Sequence, residues 1–268
     1  MTLIITVLAD DAVVQVSDRR LTSGGSIVPK PENKALCVSC SDANFTVSFT
    51  GLARIHGMPT TDWTLGQLTC MKAGALDFPT ILGQLRDKLT AAWAGLSVHG
   101  RTAGITFVFA GFGRAGPFYG LLSNIEDAKG TRLPTVNAAF QSGIWLRNKK
   151  RLRKLDIVVN GAEEAVVGTI DAAIPAVRRR FLRHTADKRA EMLVELVRRA
   201  ADHPTIGKYI GKECMSVVVP ASGDFITRYH PVAAEAVHYA PHLLTTAMAF
   251  KDVRYSLPPG FSVKFGGK

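Results

Sequence analysis

The amino-acid sequence predicts an α+β fold, and the order of its hydrophobic patterns predicts it. Short β-branched runs open the chain, helical spacing follows, strands return, a second helical pair comes next, and two more strands follow. Two antiparallel sheets can face each other with a helix pair on each outer side, a four-layer α-β-β-α sandwich; the pattern alone gives α+β and not the number of layers. No Pro/Gly/Ser-rich linker or abrupt composition change divides the 268 residues. A single domain over 1–268 is therefore expected, with residues 230–268 as a C-terminal extension that covers an edge or reaches a neighbouring subunit.

Each element has its own signal. Residues 3–9 and 12–18 are apolar, β-branched runs with Asp10 and Asp11 between them, which predicts a β-hairpin. Residues 21–33, with Gly24, Gly25, Pro29 and Pro31, read as a loop. Residues 35–41 and 45–50 form a second strand pair that Gly51 ends. Residues 61–72 read as a helix capped by Thr60 or Thr61. Ile81, Leu82, Leu85, Leu89, Trp93 and Leu96 then line one helical face. Residues 105–111 and 117–123 are a hairpin joined through Gly113, Arg114, Ala115 and Gly116. Further strands are expected near 136–140 and 157–159. A helical face runs from Ala165 to Phe181, kinked or interrupted by Pro175. Another joins Met192, Leu193, Leu196, Val197 and Ala200, and strands at 215–219 and 225–229 follow it.

At 47% hydrophobic, the chain has material for a substantial core. No apolar run approaches the roughly 20 residues that span a bilayer. The N-terminal segment lacks a basic signal-type n-region, so a cytoplasmic protein without membrane association is expected. Cys37 and Cys40 form a CxxC inside a strand-like run with no second Cys or His pair nearby. Positions three apart in a strand face opposite ways, so two structural thiols are expected and no metal. The net charge of +11 is concentrated around Arg147–Lys154 and Arg178–Arg183 without interleaved aromatic residues in the first cluster. Solvated faces explain it better than nucleic-acid binding.

The candidate chemistry lies in residues 2–34. With Met1 removed, Thr2 carries a hydroxyl nucleophile and a free α-amine able to act as its base. Asp18, with Arg20 after it, and Lys34 fall 16 and 32 residues beyond Thr2. An N-terminal Thr strand, an acidic turn, a strand ending in Asp-x-Arg, a Gly loop and a Lys opening the third strand together resemble a proteasome β-type subunit. Those subunits belong to the N-terminal-nucleophile hydrolase superfamily, and this chain is similar to a divergent bacterial-type member. The likeness is densest over 2–56 and extends through the central hairpin to about 127.

The resemblance implies the four-layer sandwich, a threonine peptidase with no cofactor, a peptide or protein substrate, and a homo-oligomeric ring; it does not identify an ATPase partner. It implies that Thr2, Asp18 and Lys34 are catalytic, that Arg20 braces their loop, and that Gly51 supplies an oxyanion N–H. Where the family has a Gly-Ser-Gly turn this chain has Val159-Asn160-Gly161, making Asn160 a candidate support, and Asp202 is a candidate for the family's late aspartate. A catalytically inactive structural subunit and a non-peptide amidase on the same fold stay open. One geometric expectation accompanies the reading. If Asp10 and Asp11 alone make the first turn, Thr2 faces Arg19 while Asp18 points away, so a bulge or odd-length loop is expected to shift the register.

Overall fold

Among the described residues, the computed structural model has two large β-sheets and four α-helices. It describes residues 2–23, 26–28, 32–97, 103–147, 155–162, 173–222, 224–232, 238–239, 242–244, 249–250, 254–255 and 263–265. The strands of the larger sheets are β1 (Leu3–Leu8), β2 (Ala12–Asp18), β3 (Ala35–Ser39), β4 (Ala43–Gly51), β5 (Ile105–Gly113), β6 (Gly116–Ser123), β7 (Gln141–Leu146), β8 (Asp156–Gly161), β9 (Cys214–Pro220), β10 (Phe225–His230), β11 (His242–Leu244), β12 (Ala249–Phe250) and β13 (Val263–Phe265). The helices are α1 (Thr60–Cys70), α2 (Phe78–Ala94), α3 (Ile174–Phe181) and α4 (Ala186–Ala201). One sheet has six strands in the order β8-β1-β2-β9-β10-β13 and the other seven in the order β7-β6-β5-β4-β3-β11-β12.

Period-two alternation sorts the side chains into three cores. Leu3, Ile5 and Val7 of β1 pack with Val177 and Phe181 of α3 and Leu193 and Val197 of α4. Their neighbours Ile4 and Leu8 point the other way, into a cluster shared with Cys37, Val108 and Ala110 of the seven-stranded sheet. On that sheet's other side, Phe45, Phe107 and Phe109 meet Leu68 of α1 and Phe78, Leu85 and Trp93 of α2. Phe78 is the centre of this aromatic contact, 4.9 Å from Phe45 edge-on and 4.4 Å from Phe118. Fully burying a side chain of this size contributes roughly 1.5–3 kcal/mol, so the aromatic layer is a major source of cohesion there. Between the sheets, buried Gln15 donates to Thr6 Oγ1 at 3.2 Å and accepts from Ser48 Oγ at 2.6 Å, a polar tie across an otherwise apolar seam.

Several sequence expectations change. The strand expected near 136–140 lies instead at β7, because Val136 and Phe140 anchor a loop: Phe140 stacks edge-on against Trp93 at 5.8 Å. Helix α1 is preceded by Pro59 rather than capped by Thr60 or Thr61. Those hydroxyls bond outward, to Leu52 O and Asn33 O at 2.8 and 2.7 Å. Pro175 lies in the first turn of α3, where its missing N–H costs nothing, so it opens this helix instead of kinking it. Residues 163–172, the rest of that expected helical face, lie outside the described residues. The β5–β6 turn is tighter than expected, with Gly113 paired to Gly116.

The C-terminal extension supplies outer strands to both sheets, β11 and then β12 beside β3, and β13 beside β10. The β11–β3 pairing is parallel, so the seven-stranded sheet is mixed and not purely antiparallel. Arg147 is also not on a solvated face. It is buried and pairs with Asp10 and, at 3.6 Å, with Asp156. Arg189 of α4, also buried, pairs with Asp11 at 2.7 Å and donates to Phe181 O and His184 O. The first hairpin's acidic turn is thus held from two sides. By contrast, Arg179, Arg180 and Arg183 are exposed, as expected.

Candidate active site

The open end of the first hairpin brings Thr2, Asp18 and Lys34 together. Lys34 Nζ donates to Thr2 Oγ1 at 2.7 Å, to Asp18 Oδ2 at 3.3 Å and to Arg20 O at 2.5 Å. Three acceptors match the three N–H donors of an ammonium. Thr2, Asp18 and Lys34 are all buried. Burial, aided by the nearby Arg19 charge, makes Lys34 lose its proton more easily than an ordinary lysine, while Asp18 opposes that shift.

Asp18 is the best-anchored member. Its Oδ1 accepts from Leu3 N at 2.8 Å, and its Oδ2 from Arg20 N at 3.0 Å and Gly211 N at 3.1 Å besides Lys34. Backbone amides therefore keep this carboxylate solvated by protein in a site without exposure.

The expected register shift is not needed. Ile4 pairs with Ser17 and Leu8 with Val13, the register of a plain Asp10-Asp11 turn. Strand β1 begins at Leu3, so Thr2 lies beyond the ladder. Asp18 is the last residue of β2, and its carboxylate folds over the open strand end to reach Leu3 N and Lys34. Side-chain alternation directs Cβ inside a ladder but does not confine a strand-end side chain.

Thr2 is also held through its carbonyl. Ala162 N donates to it at 3.0 Å and Thr50 Oγ1 at 3.5 Å. Gly161, paired with Leu3, has φ of +100°, and a Cβ there would lie 1.7 Å from Thr2 O. Only glycine satisfies both conditions. These contacts use the carbonyl and hydroxyl oxygens of Thr2, so they do not depend on the residue before it.

The supporting candidates fall in different places. Arg20 braces the loop, its Nη1 donating to Lys208 O at 2.8 Å while its backbone serves both Asp18 and Lys34. Gly51 follows Thr50 at the exposed end of β4. Asn160 is buried, but its side-chain amide oxygen accepts from the Tyr119 hydroxyl at 3.1 Å. Asp202 ends α4, exposed and paired with Lys212 at 2.5 Å, and joins no part of the Thr2 cluster. Arg20, Asp202 and Gly211 line a cavity of about 490 Å³ beside the site. Gly211 N, Ala162 N and Leu3 N carry much of the geometry and were not foreseeable, because every non-proline residue offers the same donor. Arg19 is the other addition, buried with its guanidinium 4.9 Å over the Tyr229 ring and 3.9 Å from Glu213.

The CxxC divides as expected. Cys37 is buried between the sheets, and Cys40 packs partly against the α1–α2 core. Burial pushes both thiols up, Cys40 to about 11. Among the described residues no group of three or more His, Cys, Asp or Glu side chains is placed to hold a metal. No helix among them is long and apolar enough to cross a membrane.

No family model matches the chain, and no curated protein matches it. Among solved structures it is similar to Anbu (ancestral beta-subunit) from Yersinia bercovieri, with 10% identity over 81% of each chain and a TM-score of 0.48. At that identity and score the likeness carries no argument about family or activity.

Proposed function

We propose that this protein is a threonine-type hydrolase that cleaves peptide bonds with Thr2 as nucleophile once Met1 has been removed. The observation that carries this reading is Lys34 Nζ lying 2.7 Å from Thr2 Oγ1 and 3.3 Å from Asp18 Oδ2 in a buried site. The freed α-amine of Thr2, with an ordinary pKa of about 7.7–8.0, takes the hydroxyl proton as Oγ1 attacks the substrate carbonyl. Lys34 stabilises the developing alkoxide, and Asp18 fixes Lys34. The Gly51 N–H is assigned to the tetrahedral oxyanion, a role worth about 3 kcal/mol in comparable sites. Collapse expels the amine product, which receives the proton held by the α-ammonium, and leaves a Thr2 ester. Water, deprotonated by the same amine, hydrolyses that ester.

The three cores support a four-layer α-β-β-α sandwich, in keeping with the proteasome-type resemblance of residues 2–56. A homo-oligomer is part of the proposal. Edge strand β7 exposes Ile144 and Leu146, the kind of edge that folded proteins usually cover. Light scattering on the purified protein tests it.

Intact mass before and after treatment with a β-lactone or epoxyketone probe tests the chemistry, with Thr2→Ala as control. Loss of Met1 and one adduct on Thr2 are expected. An unmodified Thr2 in a chain that has lost Met1 overturns the reading. The placement of Asp202 outside the Thr2 cluster, paired with Lys212, favours the second reading, a non-catalytic subunit of the same fold, for which retained Met1 is the expected result. Turnover of small acyl-amides without peptide turnover marks a non-peptide amidase.

A further inference from the structure

Thr2 is held through the end of an edge strand. Among the described strands, β8 pairs only with β1, and the residues at and just beyond its end, Gly161 and Ala162, are those that close on the Thr2 carbonyl. A strand supported on one side frays more readily than a central one. Something else must fix its end if Thr2 is to point in one direction.

We propose that Tyr119 is a positioning residue for Thr2, acting through Asn160; the catalytic part of this inference rests on Thr2 being the nucleophile. Tyr119 belongs to β6 in the seven-stranded sheet, and its hydroxyl crosses to the other sheet to donate to Asn160 Oδ1 at 3.1 Å. Both residues are buried, Tyr119 at 7% and Asn160 at 5% exposure. Asn160 is paired with Ile4, two residues from Thr2, and is bonded directly to Gly161. The Tyr119 ring is itself held against Trp145, with ring centroids 5.3 Å apart. Trp145, Tyr119 and Asn160 share the wall of a cavity of about 330 Å³ between the sheet edges. Burial raises the Tyr119 phenol well above its ordinary value, so the hydroxyl remains a donor throughout the physiological range.

The path is therefore short and contiguous: the Trp145 ring holds Tyr119, Tyr119 holds Asn160, and Asn160 leads into the Gly161–Ala162 backbone that grips the Thr2 carbonyl. Deleting the hydroxyl leaves the ring packing intact. It frees the Asn160 side chain beside a cavity large enough for water. The consequence falls on the order of the Thr2 end, not on the fold as a whole.

The test is a double-mutant cycle of Tyr119→Phe and Asn160→Ala in the full chain, read two ways. Amide hydrogen exchange at Ala162, which does not depend on any chemistry at Thr2, is expected to accelerate about five-fold in either variant, as loss of one neutral hydrogen bond implies. The rate of Thr2 acylation by a β-lactone is expected to fall by a similar factor, with the probe's reversible affinity unchanged. The double variant is expected to match Asn160→Ala alone. Unchanged Ala162 exchange in both single variants overturns the proposal, and so do effects that multiply in the double variant. Absence of acylation in the wild type would overturn the proposed function instead, while the exchange measurement would still decide the positioning role. Should Tyr119→Phe not fold, accelerated Ala162 exchange in Asn160→Ala supports the proposal and unchanged exchange overturns it.

Discussion

Replacing Asp18 by Asn removes one charge and keeps the side chain's size, so it isolates the electrostatic part of the buried cluster. The carboxylate accepts four N–H groups, one at Oδ1 and three at Oδ2. An asparagine can present its oxygen to only one of those two sets. In the better orientation the oxygen meets Arg20, Gly211 and Lys34, and the amide nitrogen opposes Leu3 N at the present 2.8 Å. One buried donor is then unsatisfied, at about 1–3 kcal/mol. The Lys34 ammonium also loses its counter-charge, and breaking a buried ion pair by removing one partner typically costs about 3–5 kcal/mol in all. Asp18→Asn is therefore expected to lower unfolding stability by about 3–5 kcal/mol. Urea titration followed by Trp fluorescence measures it. Because Lys34 is the group left uncompensated, Asp18→Asn combined with Lys34→Met is expected to be more stable than Asp18→Asn alone. A single variant within about 1 kcal/mol of wild type would refute the reasoning, since it would mean that the pair contributes no more than a surface contact.

Gly161→Ala places a Cβ where Thr2 O now lies and demands an unfavourable φ, so about 2–4 kcal/mol of destabilisation is expected from backbone strain and the lost Ala162–Thr2 bond. Urea titration reads the stability, and intact mass reads the accompanying loss of Thr2 labelling. His230, whose ring bonds Ser216 Oγ at 2.9 Å, is held down to about 4 by burial and then by the Arg228 and Arg198 charges. The unfolded chain takes up this proton first as pH falls. The stabilising contribution is thus complete above about 6.5 and disappears progressively toward 4, a total of about 3 kcal/mol. His230→Gln is expected to flatten the stability profile over that window, as measured by urea titration at several pH values. Among the four cysteines, exposed Cys70 is expected to react first with a maleimide at neutral pH, Cys40 slowly, and buried Cys37 and Cys214 only on unfolding, followed by mass spectrometry.

The cluster of Thr2, Asp18 and Lys34 was legible through the resemblance, whose pattern holds a Thr, an Asp and a Lys at these offsets. In strands β1, β2, β5, β6 and β9 two-sided burial makes the apolar runs nearly continuous, while β10 alternates buried and half-buried positions. Strand β7 was obscured because it is a half-buried edge with a glycine in it, while nearby Val136 and Phe140 are apolar without being in a strand. The amide anchors of the site, Ala162 N on Thr2 and Leu3 N and Gly211 N on Asp18, were invisible because main-chain donors carry no residue signature. The Asn160 contact was invisible for a different reason. Its partner Tyr119 is 41 residues away on the other sheet, and no local pattern encodes that meeting. Asp202 shows the converse failure, a residue of suitable type and approximate position that ends a helix and pairs with Lys212.

The doubly clamped Asp10-Asp11 turn has a kinetic consequence. The hairpin itself joins neighbouring residues, but its clamps lie 137 and 178 positions downstream, at Arg147 and Arg189. Loop closure over such separations comes late in folding, after local pairing has formed. The two ion pairs are therefore expected to form late in assembly and to break early in disassembly. Weakening either one is then expected to accelerate unfolding more than it slows folding, a latch on lifetime.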